Sequence, residues 1–394
     1  MGSIGYPDEY EAWVIAHDIA AGDLVYAQLP WSTISWQRTR NTTSVASVTV
    51  PGANGGIDCC AAFSGLLPWI HMLAIFRNGA KVWDGPITSW AQAKGSRSVT
   101  IGAHDRSIIL GRRCIAADAD YVDAELLDVL GGIIDDVFLD TTVPYTYDMR
   151  PSILGGAYPS GILISRSYRV AALQKRSAAI AEIMDSYELS WTQLNDTIHF
   201  DPKAFWSKGD SSYVDPVLNE QTIIGDLPVS VDAIDLSTVV YMGGTGQGVS
   251  GFANIITATN NTYLSFPLHE VVTDSAADAN APTAISGEVR ASLNAAPRVT
   301  FEQVQLSPDF GSPTFPNDLS MLVPGAQYRL DFPDTCALNT PIISIDYLDY
   351  EIDPVFSTSA TEKVRLDQLD VTVTVTAEGL DETVLAGLSA IAGP

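Results

Sequence analysis

The sequence predicts a mainly β protein with α+β insertions: two small β-barrel or sandwich domains and a helix-hairpin subdomain between them. Three observations predict it. Short β-branched runs such as residues 44–50 (SVASVTV) are separated by turn residues at close intervals. Asn78-Gly79 lies between two apolar runs and supplies the positive-φ pair of a type I′ hairpin turn. Two helix-like segments, 120–139 and 167–188, interrupt this pattern, and the second runs straight into an alternating hairpin at 190–200. The expected division is a barrel-like domain at 1–115, an α+β insertion at 116–221, and a second β domain at 222–394 that closes on a short helix.

Within 1–115, residues 44–50 form a strand ended by Pro51-Gly52. Residues 72–83 (MLAIFRNGAKVW) form the clearest hairpin. Trp83-Asp84-Gly85-Pro86 is expected to break the strand before it resumes over 87–91, and Lys94-Gly95-Ser96 turns the chain into a strand over 97–101. In the insertion, Leu126, Leu127 and Leu130 give helix 120–139 an apolar face, with Asp118 or Asp120 as its N-cap and Gly131-Gly132 as an interruption. Residues 140–165 read as a loop rich in Pro, Gly and Tyr. Helix 167–188 carries Val170, Leu173, Ile180, Met184 and Tyr187 at helical spacings, with Ser167 as its cap. The hairpin SWTQLNDTIHF turns about Asn195-Asp196. In the last domain, strands are expected near 239–242, 252–259, 263–266, 298–306, 327–332, 341–350 and 369–376, an Ala/Asp loop at 273–283, and an amphipathic helix at 380–391.

Composition narrows the function classes. The 394 residues are 46% hydrophobic, enough for packed cores, and only 17% charged, which fits a surface partly covered by other subunits or one rich in Ser, Thr and Asn. The net charge of −26 is uneven: residues 1–208 carry −6 and residues 209–394 carry −20. No Lys or Arg occurs from 209 to 289, nor from 114 to 149. Binding to nucleic acid needs clustered bases, so the acidic half is excluded from it. No basic leader, transmembrane run or lipidation signal is legible.

No motif supports catalysis. Gly246-Gln247-Gly248-Val249-Ser250-Gly251 matches GxGxxG, but the following FANIITATNNT has strand chemistry where a dinucleotide site needs a helix. Asp118, Asp120, Asp123 and Glu125 resemble a calcium-loop fragment that lacks the loop glycine and the terminal acid. Cys59, Cys60, Cys114 and Cys336 show no CxxC spacing, and Cys59 or Cys60 with His71 has no third orienting group. His17, His71, His104, His199 and His269 include no HExxH pair. Glu182 and Asp185 lie on one helix surface. Tyr145, Tyr147 and Tyr158 invite a sugar-stacking reading against the plainer one of filled cores and interfaces. No catalytic, cofactor or metal residue is therefore assigned.

Three places together resemble a known family. They are LAIFRNGAKVWDGPI at 73–87 followed by RSVTIGAHDRSIILGRR at 97–113, the helix 167–188 passing into SWTQLNDTIHF, and the strand with GGTGQGVSG at 243–251. The chain is similar over most of its length to minor tail proteins of siphophages, notably those infecting actinobacteria. It departs where that family often has an acid and a closing Arg after the glycines; Val249 and Phe252 stand here. The resemblance implies a baseplate hub of tail-hub type: two barrel-like domains in a ring, typically a trimer. It implies a virion structural protein at the tail tip, assembled in the host cytoplasm and without catalysis or cofactor. Its partners would be further copies of itself, the tail tube and distal tail proteins, the tape measure protein and tail fibre or tip proteins, with DNA passing unbound. The chain's end at Pro394 leaves no room in this sequence for a lysin or fibre module. The alternatives are a receptor- or glycan-binding tail-tip module and, less favoured, a cell-wall-degrading tail enzyme.

Overall fold

The computed structural model describes residues 10–17, 24–50, 65–77, 79–92, 98–138, 148–151, 163–187, 191–194 and 197–200; beyond residue 200 it describes Pro324 and the strands named below. The protein is mainly β. The first strands are β1 (Tyr10–His17), β2 (Leu24–Leu29), β3 (Thr33–Thr39), β4 (Val45–Val50), β5 (His71–Arg77), β6 (Ala80–Ala91) and β7 (Val99–His104). A 3-10 turn at Arg106–Ile109 leads into β8 (Ala119–Glu125) and helix α1 (Leu126–Phe138). Then come β9 (Asp148–Pro151), β10 (Leu163–Tyr168), a second 3-10 turn at Val170–Ala172, helix α2 (Arg176–Tyr187), β11 (Trp191–Leu194) and β12 (Thr197–Phe200).

The remaining strands are β13 (Val217–Asn219), β14 (Ile223–Ile224), β15 (Val229–Asp232), β16 (Val239–Gly243), β17 (Phe252–Thr257) and β18 (Glu270–Thr273). After them come β19 (Arg298–Phe301), β20 (Val304–Leu306), β21 (Gln327–Asp331), β22 (Tyr350–Glu351), β23 (Lys363–Leu366) and β24 (Asp370–Thr376).

One eleven-stranded sheet dominates, in the order β14-β20-β23-β24-β3-β4-β7-β6-β5-β1-β2. Every neighbouring pair in it is antiparallel. Strands from both ends of the sequence meet in it: β24 pairs with β3 over seven residues, from Asp370↔Thr39 to Thr376↔Thr33. The sheet therefore interleaves residues from the first and third expected segments. Its core follows the period-two alternation of β4 and β7. Ile34, Val48 and Ile101 form one buried rung across β3, β4 and β7. The next rung sets Trp36 against Ala46 and Ala103, so two small residues make room for one indole.

The Asn78-Gly79 hairpin forms as expected, with Arg77 opposite Ala80 and Gly79 at φ +78°. Gly85-Pro86 does not break the strand. The twelve-residue β6 runs through it, leaves β5 after Pro86 and takes β7 from Ile87 onward. Register shifts on both sides make it a corner strand that changes partner. A Cβ on Gly85 would lie 1.9 Å from the His104 carbonyl oxygen, so only glycine lets this corner seat on β7.

Two helix expectations are corrected. Residues 120–125 are strand, and α1 begins at Leu126, where the Glu125 carboxylate accepts from the Leu127 N–H at 2.7 Å. Asp118 and Asp120, expected as caps, and Asp123 hold β8 to β10 and its sequel instead. Asp120 accepts from Ser167 Oγ (2.6 Å) and pairs with Arg169, Asp123 accepts from Ser165 Oγ, and Asp118 accepts from the Val170 N–H. Gly131-Gly132 does not interrupt α1. A Cβ on Gly132 would lie 2.1 Å from the Tyr121 hydroxyl, so the glycine is the seat of that ring.

The second helix starts at Arg176 rather than 167. Ser167 lies within β10, and Leu173, in a left-handed conformation at φ 51°, stops the 3-10 turn. Val170 and Leu173 are consequently exposed, Leu173 to 69%, while Ile180 and Met184 are buried as their spacing implies. The 140–165 loop contains β9 and the start of β10.

The helical unit has its own core. Leu126, Leu130, Ile133 and Ile134 of α1 pack with Ala179, Ile180, Ile183 and Met184 of α2, and the cluster reaches Ile15, Met72 and Ala74 of the large sheet. Arg176, wholly buried, donates to the Ile133 carbonyl on α1 and to the Cys114 carbonyl at 3.2 Å. The hairpin β11–β12 forms in the expected register, Leu194 opposite Thr197, and β12 also pairs with β9. Among the described residues, no helix is long and apolar enough to cross a membrane. Residues 263–266, 274–283, 341–349 and 380–391 lie outside the described residues.

Candidate functional site

The most developed polar structure in the described chain is the joint between the large sheet and the helical unit. Backbone pairing starts it: Asn41, which tolerates φ 58°, donates its N–H to the Trp191 carbonyl and accepts the Trp191 N–H on Oδ1, both at 2.8 Å. Thr192 Oγ1 donates to the Thr39 carbonyl at 2.9 Å. Hairpin β11–β12 is thereby fixed to the end of β3.

Asp105 stands at the centre of the joint, as the N-cap of the 3-10 turn. Its Oδ2 accepts from the Ser44 N–H (2.6 Å) and Ser44 Oγ (2.5 Å), and its Oδ1 from the Ser107 N–H (2.9 Å) and Ser107 Oγ (2.5 Å). Trp83 Nε1 donates to Ser44 Oγ at 3.3 Å, and the Ser107 N–H also reaches Gln193 Oε1 of β11 at 2.8 Å. The carboxyl is wholly buried, and burial pushes its pKa up to about 6 against the pull of the four donors.

Beside it, Asp84 and Arg106 form a buried two-pronged ion pair, and Lys81 reaches the same Asp84 carboxylate at 2.7 Å. Thr88 and His104 share a hydrogen bond at 2.8 Å. Burial and, after it, the charge of Arg112 lower the His104 pKa. A cleft of about 270 Å³ opens along the joint, lined by Asn41, Thr43, Ser107, Arg112, Ser177 and Trp191 among others. Arg112 stacks on the Trp69 ring at 5.3 Å.

The constellations weighed in the sequence do not assemble there. Asp118, Asp120, Asp123 and Glu125 are spread along β8 and its flank and engaged as described. Among the described residues, no group of three or more His, Cys, Asp or Glu is placed to hold a metal ion. The GxGxxG segment separates antiparallel β16 and β17, so a strand follows it. Cys59, Cys60, Cys336, His269, Tyr145, Tyr147 and Tyr158 lie outside the described residues, as do the side chains of His17, His199 and Asp185. His71 is buried, and its Nδ1 meets the Leu67 backbone. Glu182 accepts from Gln174 Nε2 at 3.0 Å. Cys114 is a free thiol. Sequence reasoning passed over Ser44, Asp84, Asp105, Arg106 and Gln193. The Asp105-Arg106-Ser107 run, an acid two residues before a hydroxyl after an apolar strand, was the available signal.

No protein-family model and no curated protein matches the chain. Solved structures do: the large antiparallel sheet with its helical unit is a fold found in bacteriophage and prophage tail proteins. The tail protein from Neisseria meningitidis MC58 is 11% identical, with 94% of this chain and 97% of that one covered at a TM-score of 0.54. The 43 kDa tail protein of prophage MuSo2 from Shewanella oneidensis is 11% identical, with 93% and 98% covered and a TM-score of 0.55. Prophage tail protein gp18 from Listeria monocytogenes EGD-e is also 11% identical, with 97% and 99% covered and a TM-score of 0.50.

Proposed function

We propose that the chain is a structural, non-catalytic virion protein of a long-tailed bacteriophage, a hub component at the tail tip. The supporting observation is the extent of the likeness. It runs through 93–97% of this chain and 97–99% of three tail proteins, so a whole architectural unit is matched rather than one shared module. In this reading, copies of the chain form a closed ring, a homotrimer. The ring joins the tail tube and distal tail ring to fibre or tip proteins, with the tape measure protein as a further neighbour. The siphophage, actinobacteriophage-type assignment comes from the resemblance of its motifs.

Physical features favour assembly. The outer edges of β2 and β14 are unpaired among the described residues, and neighbouring subunits would cover them. The base-free stretch 209–289 suits the wall of a bore through which DNA slides without adhering. Electron cryomicroscopy of the intact particle, with mass measurement of the purified chain, tests the reading. A ring of three copies at the tip is expected. A stable monomer located away from the tip, or clearing of host cell walls in a zymogram, would overturn it.

A further inference from the structure

We propose that Asp105 is a proton-operated latch on the joint between the large sheet and the helical unit. When the carboxyl is protonated the joint is clamped, and when it is ionised the joint is loaded and opens more readily. The inference is independent of the tail reading and rests on the architecture of the joint.

The Asp105 carboxylate ties Ser44, which precedes β4, to Ser107 of the 3-10 turn that leads toward the helical unit, and the same Ser107 N–H meets Gln193 of β11. No cation touches the Asp105 carboxylate among the contacts described. The adjacent guanidinium of Arg106 is turned to Asp84 on β6, and Lys81 also pairs with Asp84. His104 on β7 faces Thr88. Thr43, Ser44, Thr192 and Gln193 bring no charge. An ionised Asp105 in the closed joint is therefore a buried anion held by four dipoles alone. In an opened joint, water would solvate it at little cost.

The surroundings also accept the proton. Ser107 Oγ stands between Asp105 Oδ1 (2.5 Å) and Thr43 Oγ1 (3.1 Å) and has one hydrogen to give. With the carboxylate ionised, that hydrogen points at Oδ1. With Oδ1 protonated, the carboxyl donates to Ser107 Oγ, whose hydrogen turns to Thr43. The Ser107 N–H keeps Gln193 Oε1 as acceptor throughout. Both protonation states thus satisfy the donors of Ser44 and Ser107, and the burial of charge separates them.

The direction follows from the sign. Burial lifts the closed-state carboxyl from 3.8 to about 6, so protonation favours the closed joint. The full difference corresponds to roughly a hundredfold change in the closed-to-open ratio.

Hydrogen–deuterium exchange on the full chain tests this, read in peptides spanning residues 40–46 and 105–110 and corrected for intrinsic chemistry. Opening is expected to rise at least tenfold from about pH 5 to about pH 7.5, with a midpoint near 6. The peptide carrying Ile101 and Ala103 should stay flat. In Asp105→Asn, whose Nδ2 can donate to Ser107 Oγ while Oδ1 accepts from Ser44, opening should remain at its acid level at every pH. His104→Gln removes the neighbouring titrating group and should leave the transition in place. If Asp105→Asn does not fold, Thr43→Val decides: loss of the acceptor for the turned Ser107 hydroxyl should lower the midpoint. A flat wild-type response, an undiminished response in Asp105→Asn, or an unmoved midpoint in Thr43→Val overturns the proposal.

Discussion

Asp84 grips Arg106 with both carboxylate oxygens, Oδ1 on Nε at 3.1 Å and Oδ2 on Nη2 at 2.6 Å, with the side chains 1% and 8% exposed. The pair fastens the β6 corner to the 3-10 turn behind β7. Removing Asp84 takes from the buried Arg106 its carboxylate, and removing Arg106 leaves the buried Asp84 with Lys81 in its place. Asp84→Asn or Arg106→Met alone should lower unfolding free energy by about 3–5 kcal/mol. The double replacement Asp84→Asn/Arg106→Met should cost less than the sum of the singles. Urea midpoints of the four proteins check this, and strictly additive losses would contradict it.

Gly132 faces the Tyr121 hydroxyl at a separation no side chain could share. An alanine in a helix ordinarily gains about 1 kcal/mol over glycine. Here the tyrosine ring, packed edge-on against Tyr168 with centroids 6.2 Å apart, has little room to yield. Gly132→Ala should therefore destabilise the protein by about 1–3 kcal/mol. In a Tyr121→Phe background the penalty should shrink, which a double-mutant cycle of melting temperatures would reveal.

Global stability should carry the signature of Asp105. Its folded-state carboxyl is raised above the ordinary 3.8, so the folded chain holds this proton more tightly than the unfolded one. The corresponding stability is fully present below pH 3.8 and is lost as pH rises through about 6. Between acid and neutral pH, the wild-type unfolding free energy should fall relative to Asp105→Asn by about 1–3 kcal/mol. A difference that does not vary with pH would refute the buried-carboxyl account.

Asp120 offers the opposite behaviour on an exposed strand. Its hydrogen bond from Arg169, then that from Ser167, holds its pKa below the ordinary value. A carboxyl-detected NMR titration should find it low in the wild type and shifted upward in Arg169→Ala. Thermal stability should barely change, because the pair is open to solvent.

What the sequence disclosed was local. The β5–β6 hairpin, β4 and β11–β12 are written in adjacent residues: a turn dipeptide, an alternation, a β-branched run. The errors arose where distant chain decides. Asp118 and Asp120 sit just before an apolar run and look like helix caps, yet residues 119–125 are drawn into a strand by β10, forty residues on. Val170 and Leu173 have helical spacing but precede a helix that starts only at Arg176. The joint was illegible because Ser44, Asp84, Asp105 and Gln193 come from four segments, and only Asp105 with Ser107 is a local pattern. Nothing near β3 announces that its partner is β24.

That last pairing has a cost in time. During synthesis, Thr33–Thr39 emerges more than 300 residues before the segment that zips along its flank. Until then Ile34 and Trp36 lie on a strand with an open flank, a template for any stray extended peptide. The nascent chain must wait or be guarded, and a ribosome that stalls before residue 370 releases a product able to stick to its siblings.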